Sequence, residues 1–77
     1  MSESDRIRWH CRRGLLELDL ILARFMERHY EKLDSEARGV FKELLEFPDN
    51  DLLDWALGKG APPEPRYRRM VELLRST

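Results

Sequence analysis

"LLELDLILARFMERH", Leu15 to His29, decides the architecture of this 77-residue chain. Leu15, Leu18, Leu22, Phe25, Met26 and His29 recur at i, i+3, i+4 spacing, with Ile21 on their flank, so one side of a helix is apolar and the other charged. A strand would alternate apolar and polar residues, and no stretch of the chain does so. The stripe predicts a long helix over Leu15–Leu33. Short punctuation on either side divides the rest of the chain into further helices.

Upstream, the spacing predicts a short helix from Ser4 to Arg12, with Ser2 or Ser4 offering the cap. Ile7, His10 and Cys11 share one face of it; Arg6, Trp9 and Arg13 share another. Gly14 fits a helix stop, because glycine tolerates the left-handed conformation that closes helices. Downstream, Asp34 offers an N-cap for a third helix with Val40, Phe41, Leu44 and Leu45 as its stripe. Phe47-Pro48 ends that helix, since the residue before proline is driven out of helical geometry. Asp49 caps a short fourth helix carrying Leu52, Leu53, Trp55 and Ala56, which Gly58 or Gly60 closes. After the turn Ala61-Pro62-Pro63-Glu64-Pro65, Tyr67, Met70, Val71 and Leu74 form the inner face of a last helix. Links this short make neighbours pack antiparallel or at steep angles. The expectation is an all-α fold, a small compact five-helix bundle forming one domain over residues 1–77.

Composition narrows the function classes. A chain this short buries only about 60% of its unfolded surface, so the core is modest. Charged residues make up 38% of it, as a heavily solvated exterior requires. The longest apolar run, Leu20-Ile21-Leu22-Ala23, is far below a membrane span, and Met1-Ser2-Glu3-Ser4-Asp5 has no leader pattern. A lone cysteine, Cys11, makes no internal disulfide, which suits a reducing cytoplasm.

Charge is segregated. Residues 6–14 carry four arginines and no acid, residues 31–54 a balance of −5, and residues 66–75 a balance of +3. Segregation of this kind orients docking to a partner of complementary potential. An ordinary solvated surface is the simpler account of charge alone.

No catalytic set emerges. Cys11 lies with Ile7 on an apolar face and reads as a packed thiol. His10 and Cys11 are adjacent and point apart on a helix, so they make no zinc pair. His29 continues the core stripe and reads as a half-buried, hydrogen-bonded ring. Gly58-Lys59-Gly60 is a turn without the rest of a phosphate loop. Arginines interleaved with Trp9 suit nucleic acid, but a helix-turn-helix reader needs a basic recognition helix within its pair, and the central helices here are acidic. Recognition of another protein fits better, since Arg and Trp are the residues most enriched at interface hot spots. Gly14 would let a partner's backbone come close. Glu17 accepts hydrogen bonds there or holds Arg13, or simply complements the helix dipole.

"RIRWHCRRGLLELD", followed by Phe25, Tyr30, Leu33, Phe41, the Leu44–Glu46 "LLE", Asp51-Leu52, Trp55, Gly60 and Pro62, resembles the SdhE/YgfY family. These are bacterial FAD assembly factors of succinate dehydrogenase, related to the mitochondrial succinate dehydrogenase assembly factor 2. The likeness runs in order along nearly the whole chain. Its most specific element is Arg-Gly-x-x-Glu, here Arg13, Gly14 and Glu17 with leucine at both open positions. The resemblance implies a five-helix assembly factor, chaperone-like and not an enzyme. It would bind the flavoprotein subunit of succinate dehydrogenase, and of fumarate reductase where present, and promote covalent attachment of FAD to a histidine of that subunit. Arg13, Gly14 and Glu17 are the expected partner-binding signature, with Arg6, Trp9 and Leu15 as neighbours in the contact surface. No catalytic residue, no metal and no stably bound cofactor are expected, because FAD becomes attached to the client. A cytoplasmic monomer that neither inserts into membranes nor binds nucleic acid completes the expectation. The alternatives are the antitoxin half of a toxin–antitoxin pair, an older label of the same family, and a small nucleic-acid-binding helical module.

Overall fold

The computed structural model describes residues 2–77 and contains five α-helices: α1 (Glu3–His10), α2 (Leu16–Arg28), α3 (Ser35–Leu44), α4 (Asp49–Ala56) and α5 (Pro65–Arg75). A 3-10 turn, Tyr30–Lys32, links α2 to α3. Met1, first residue of the terminal stretch read for a leader and of the domain expected over 1–77, lies outside the described residues. So does the side chain of Ser4, one of the two caps offered for the first helix. Among the described residues there is no strand, in keeping with the all-α expectation, and no helix is long and apolar enough to cross a membrane.

The α2 stripe is the centre of the molecule. Leu18, Leu22 and Phe25 are fully buried and Met26 nearly so, and α2 packs against both α4 and α5. The Phe25 ring stacks on Phe41 of α3 with centroids 4.4 Å apart and planes 19° from parallel, close to the offset arrangement aromatic pairs prefer. Tyr30 tilts against Phe41 from the other side at 5.9 Å. Leu44, Leu52, Tyr67, Met70, Val71 and Leu74 close the same cluster, so all four inward positions expected of the last helix are buried.

Several boundaries differ from the sequence reading. Ser2 caps α1: its hydroxyl accepts from the Asp5 amide at 3.2 Å while Asp5 accepts from the Ser2 amide, a reciprocal capping box. The helix then ends at His10 and not at Arg12. Ile7 and Cys11 are buried as expected, but His10 is exposed, because the chain leaves the helix there. α2 ends at Arg28, short of Leu33. The tightened turn that follows gives up its carbonyls at Tyr30 and Glu31, and the Arg38 guanidinium donates to both. His29 is half-buried at that end, its ring 5.6 Å from Phe25, but its buried Nε2 has no hydrogen-bond partner among the described residues. Asp34 caps α3 as expected, accepting from the Ala37 amide at 2.8 Å. Pro48, not Asp49, occupies the cap position of α4, and Asp49 is its first helical residue. Gly58 closes α4: with φ +85 it lets the Lys59 amide reach the Asp54 carbonyl at 2.7 Å and the Gly58 amide reach that of Trp55 at 3.1 Å, a Schellman ending.

α1 is anchored by Ile7, by Cys11 and by one polar tie. Glu3 accepts from the Tyr30 hydroxyl at 3.0 Å and pairs with Lys42 at 3.0 Å. Burial, opposed only in part by Arg13 and Arg8, pushes the Cys11 thiol up to about 12, so it is a packing group and not a nucleophile at neutral pH. Lys42 first, then Tyr30, hold the Glu3 carboxyl below its usual 4.5. Burial and the Glu3 carboxylate push Tyr30 above its usual value.

Two outcomes follow from this packing. Phe41→Ala leaves a void against Phe25 and Tyr30 and costs about 3–5 kcal/mol, read as a fall of at least ~12 °C in the thermal midpoint. For Glu3, a depressed folded pKa means stability present above the ordinary value of 4.5 and lost as pH falls through the lower folded value. Glu3→Gln should therefore flatten part of the decline in thermal midpoint below that pH. An unchanged acid profile would show that the tie carries no stability.

Candidate functional site

Between α1 and α2 the chain turns through Arg12, Arg13, Gly14 and Leu15, and this turn gathers the sequence-predicted residues. Gly14 has φ +84, a left-handed conformation that side-chain-bearing residues rarely adopt. It lies beyond the end of α1, whose cap is Cys11. Gly14 is therefore not the stop of α1; it redirects the chain into α2. A Cβ built at Gly14 would meet nothing within 4 Å, so the space above the turn is open.

The carboxylate that grips this turn is Asp19, one helical turn into α2. Its Oδ1 accepts from the Arg13 amide at 2.7 Å and its Oδ2 from the Gly14 amide at 3.3 Å. Of the readings open for Glu17, holding Arg13 is not realised: its side chain is exposed and forms no ion pair or hydrogen bond among the described residues. As an acid in the first turn of α2 it does complement the helix dipole.

Arg13 does not share an outward face with Arg6 and Trp9. Its side chain, only 18% exposed, folds under the turn. Nε donates to Asp49 Oδ1 at 2.7 Å, Nη1 to the Leu45 carbonyl at 2.7 Å and the His10 carbonyl at 3.3 Å, and Nη2 to the Phe47 carbonyl at 3.3 Å. Those at Leu45 and Phe47 belong to the α3–α4 link, where the chain has no helical partners to offer them. Leu15 is half-buried and packs against the core.

The outward side belongs to other residues. Trp9 is 68% exposed, and it lies about 200° round α1 from the buried Ile7. Leu16 is 76% and Leu20 48% exposed, one turn apart on α2. Arg6, Arg8 and Arg12 are exposed and have no acidic partner among the described residues. Trp9 thus stands on a ridge with a groove on each side. One, of about 470 Å³, is lined by Arg8, Arg12, Leu20 and Ala23 between α1 and α2. The other, of about 520 Å³, is lined by Arg6, His10, Arg13, Lys42 and Glu46 between α1 and α3.

The basic cluster of residues 66–75 has the opposite character. Arg68 donates to the Pro62 and Pro63 carbonyls, and Arg75 to those of Trp55 and Gly60. Arg66 pairs with Glu64 and Glu43 and lies over the Tyr67 ring. These charges fasten the 57–64 loop and the α3–α5 seam. No group of three or more metal-ligating side chains exists among the described residues.

Sequence reasoning brought Arg6, Trp9, Gly14, Leu15 and Glu17 to this end of the molecule. It missed Asp19, Asp49, Leu16 and Leu20. Leu16 and Leu20 fall off the apolar stripe, which was signal enough to have marked them as outward-facing. The Asp49 contact spans 36 residues and leaves no local pattern.

The chain matches the family model described as "Flavinator of succinate dehydrogenase" over residues 5–77. It is similar to the FAD assembly factor SdhE of Pseudomonas aeruginosa, at 41% identity over 95% of this chain and 87% of that protein. The FAD assembly factor SdhE of Coxiella burnetii is 39% identical over 92% of this chain and 87% of its own length. That of Vibrio vulnificus is 43% identical over 95% and 85%. With the Arg-Gly-x-x-Glu turn in place and the match running almost end to end, the chain belongs to the flavinators of succinate dehydrogenase, a family of assembly factors and not of enzymes.

Proposed function

We propose that this protein docks on the flavoprotein subunit of succinate dehydrogenase, and of fumarate reductase where present, and promotes covalent attachment of FAD to it. The observation that carries the reading is the joint exposure of Trp9, Leu16 and Leu20 beside the unpaired Arg6, Arg8 and Arg12, around an open glycine turn. An exposed tryptophan next to unpaired arginines is the composition of a binding hot spot, and the two leucines extend the apolar contact beside it. Glu17, free of internal partners, faces a cation of the client. Gly14 admits the client's backbone.

The bond to FAD forms within the client. The factor holds a conformation in which flavin and acceptor histidine stand in line, and positioning alone lowers such a barrier substantially. It needs no cofactor of its own, acts as a monomeric single domain in the cytoplasm, and leaves nucleic acid aside. The antitoxin and nucleic-acid readings have no observation in their favour: of the C-terminal arginines, Arg68 and Arg75 are tied to backbone carbonyls and Arg66 to acids.

Covalent flavin in the flavoprotein subunit, read by in-gel fluorescence, should fall sharply in cells lacking this protein and return with the wild-type gene. Undiminished flavinylation would sink the reading. Leu16→Asp should keep helix content and thermal midpoint within a few degrees, yet reduce complex formation at least ~10-fold. Gly14→Asn separates two roles of the glycine, because asparagine tolerates the left-handed turn but fills the space above it. A folded Gly14→Asn protein that no longer flavinylates is the expected result; full activity would mean that nothing approaches closely there.

A further inference from the structure

We propose that Asp19 and Arg13 are positioning residues of the docking surface: they hold the turn that aims Leu16 and Glu17, and neither side chain meets the client. The inference rests on the docking reading above and assigns different work within it. In the bare Arg-Gly-x-x-Glu pattern the arginine looks like a contact residue. The geometry assigns it elsewhere.

Three observations carry this. Arg13's guanidinium is occupied on all three nitrogens, by one carboxylate and three backbone carbonyls, within 3.3 Å. Four of its five N–H donors are so engaged, so a client carboxylate could form a two-pronged contact only by displacing Asp49 or leaving a carbonyl of Leu45 or Phe47 unmet, which is costly for part-buried groups. Asp19, half-buried, is likewise committed, its two oxygens taken by consecutive amides of the turn. Those two amides immediately precede Leu15, the N-cap of α2. Fixing them fixes where the first turn of α2 begins and hence where Leu16 and Glu17 point.

The chain of support is therefore layered. Asp49 and the α3–α4 carbonyls hold the Arg13 side chain, Asp19 holds the Arg13 and Gly14 backbone, and the exposed residues on either side meet the client. The positive potential that the client meets comes from Arg6, Arg8 and Arg12, which have no internal acid.

The test uses the full chain and purified flavoprotein subunit, at a temperature where circular dichroism shows every variant folded. Asp19→Ala should weaken binding at least ~10-fold and shift the amide resonances of Arg13 and Gly14. Asp19→Asn keeps an oxygen for the shorter bond and should recover most of the affinity. Equal losses in the two variants would overturn the proposal, because they would mark the negative charge itself as a contact. Asp49→Ala, which touches Arg13 through its side chain, should reproduce much of the binding loss of Arg13→Ala, and the double variant should be little worse than either alone. Wild-type affinity in Asp49→Ala beside abolished binding in Arg13→Ala would make Arg13 a direct contact and overturn the assignment. If the wild-type protein itself fails to bind the subunit, the docking reading falls, while the amide shifts still decide whether Asp19 fixes the turn.

Discussion

A guanidinium that donates at once to a carboxylate and to three backbone carbonyls joins the ends of α1, α3 and α4 at the point where α2 begins. The α3–α4 link passes through Leu45, Glu46, Phe47 and Pro48, and the carbonyls of Leu45 and Phe47 are met by Arg13. Left unmet and part-buried, such groups would oppose folding. Arginine is suited to the task because its planar fork offers five donors in fixed directions; a lysine would offer one point of charge. The same side chain springs from the residue whose amide Asp19 holds. The turn between α1 and α2 is thereby tied to the α3–α4 link.

This changes the meaning of the charge segregation. The two basic clusters look alike in sequence, one of four arginines without an acid and one of four with Glu72. In the fold they part company. Arg66, Arg68 and Arg75 meet carbonyls or acids of the protein itself. Arg6, Arg8 and Arg12 meet none, and they flank the most exposed apolar side chains.

What could be read from the sequence followed from local rules. The α2 stripe, the Asp34 cap, the inner face of α5 and the stop at Gly58 all depend on residues within about one or two turns. The placements that failed depend on distant ones. α2 stops at Arg28, and Arg38 from the next helix donates to the carbonyls of the turn that follows. Arg13 turns inward because Asp49 and the α3–α4 link stand there. His29 sat correctly on the stripe, but the end of the helix left its Nε2 without the partner that a half-buried ring usually finds. The candidate site was recognisable as a turn with a glycine and an acid nearby. Which acid grips it was not, since Glu17 and Asp19 are equally acidic and only the helix geometry separates them.

The loop from Leu57 to Glu64 is clasped from α5, through Arg68 at one end and Arg75 at the other. During synthesis the residues of α2, α3 and α4 leave the ribosome before the helix that covers them, and Arg75 is made after everything it holds. Until then Leu22, Phe25 and Phe41 lack the wall that Met70, Val71 and Leu74 provide. The nascent chain must therefore hold its apolar stripe unsheltered for the time needed to add α5, about a second at ordinary elongation rates.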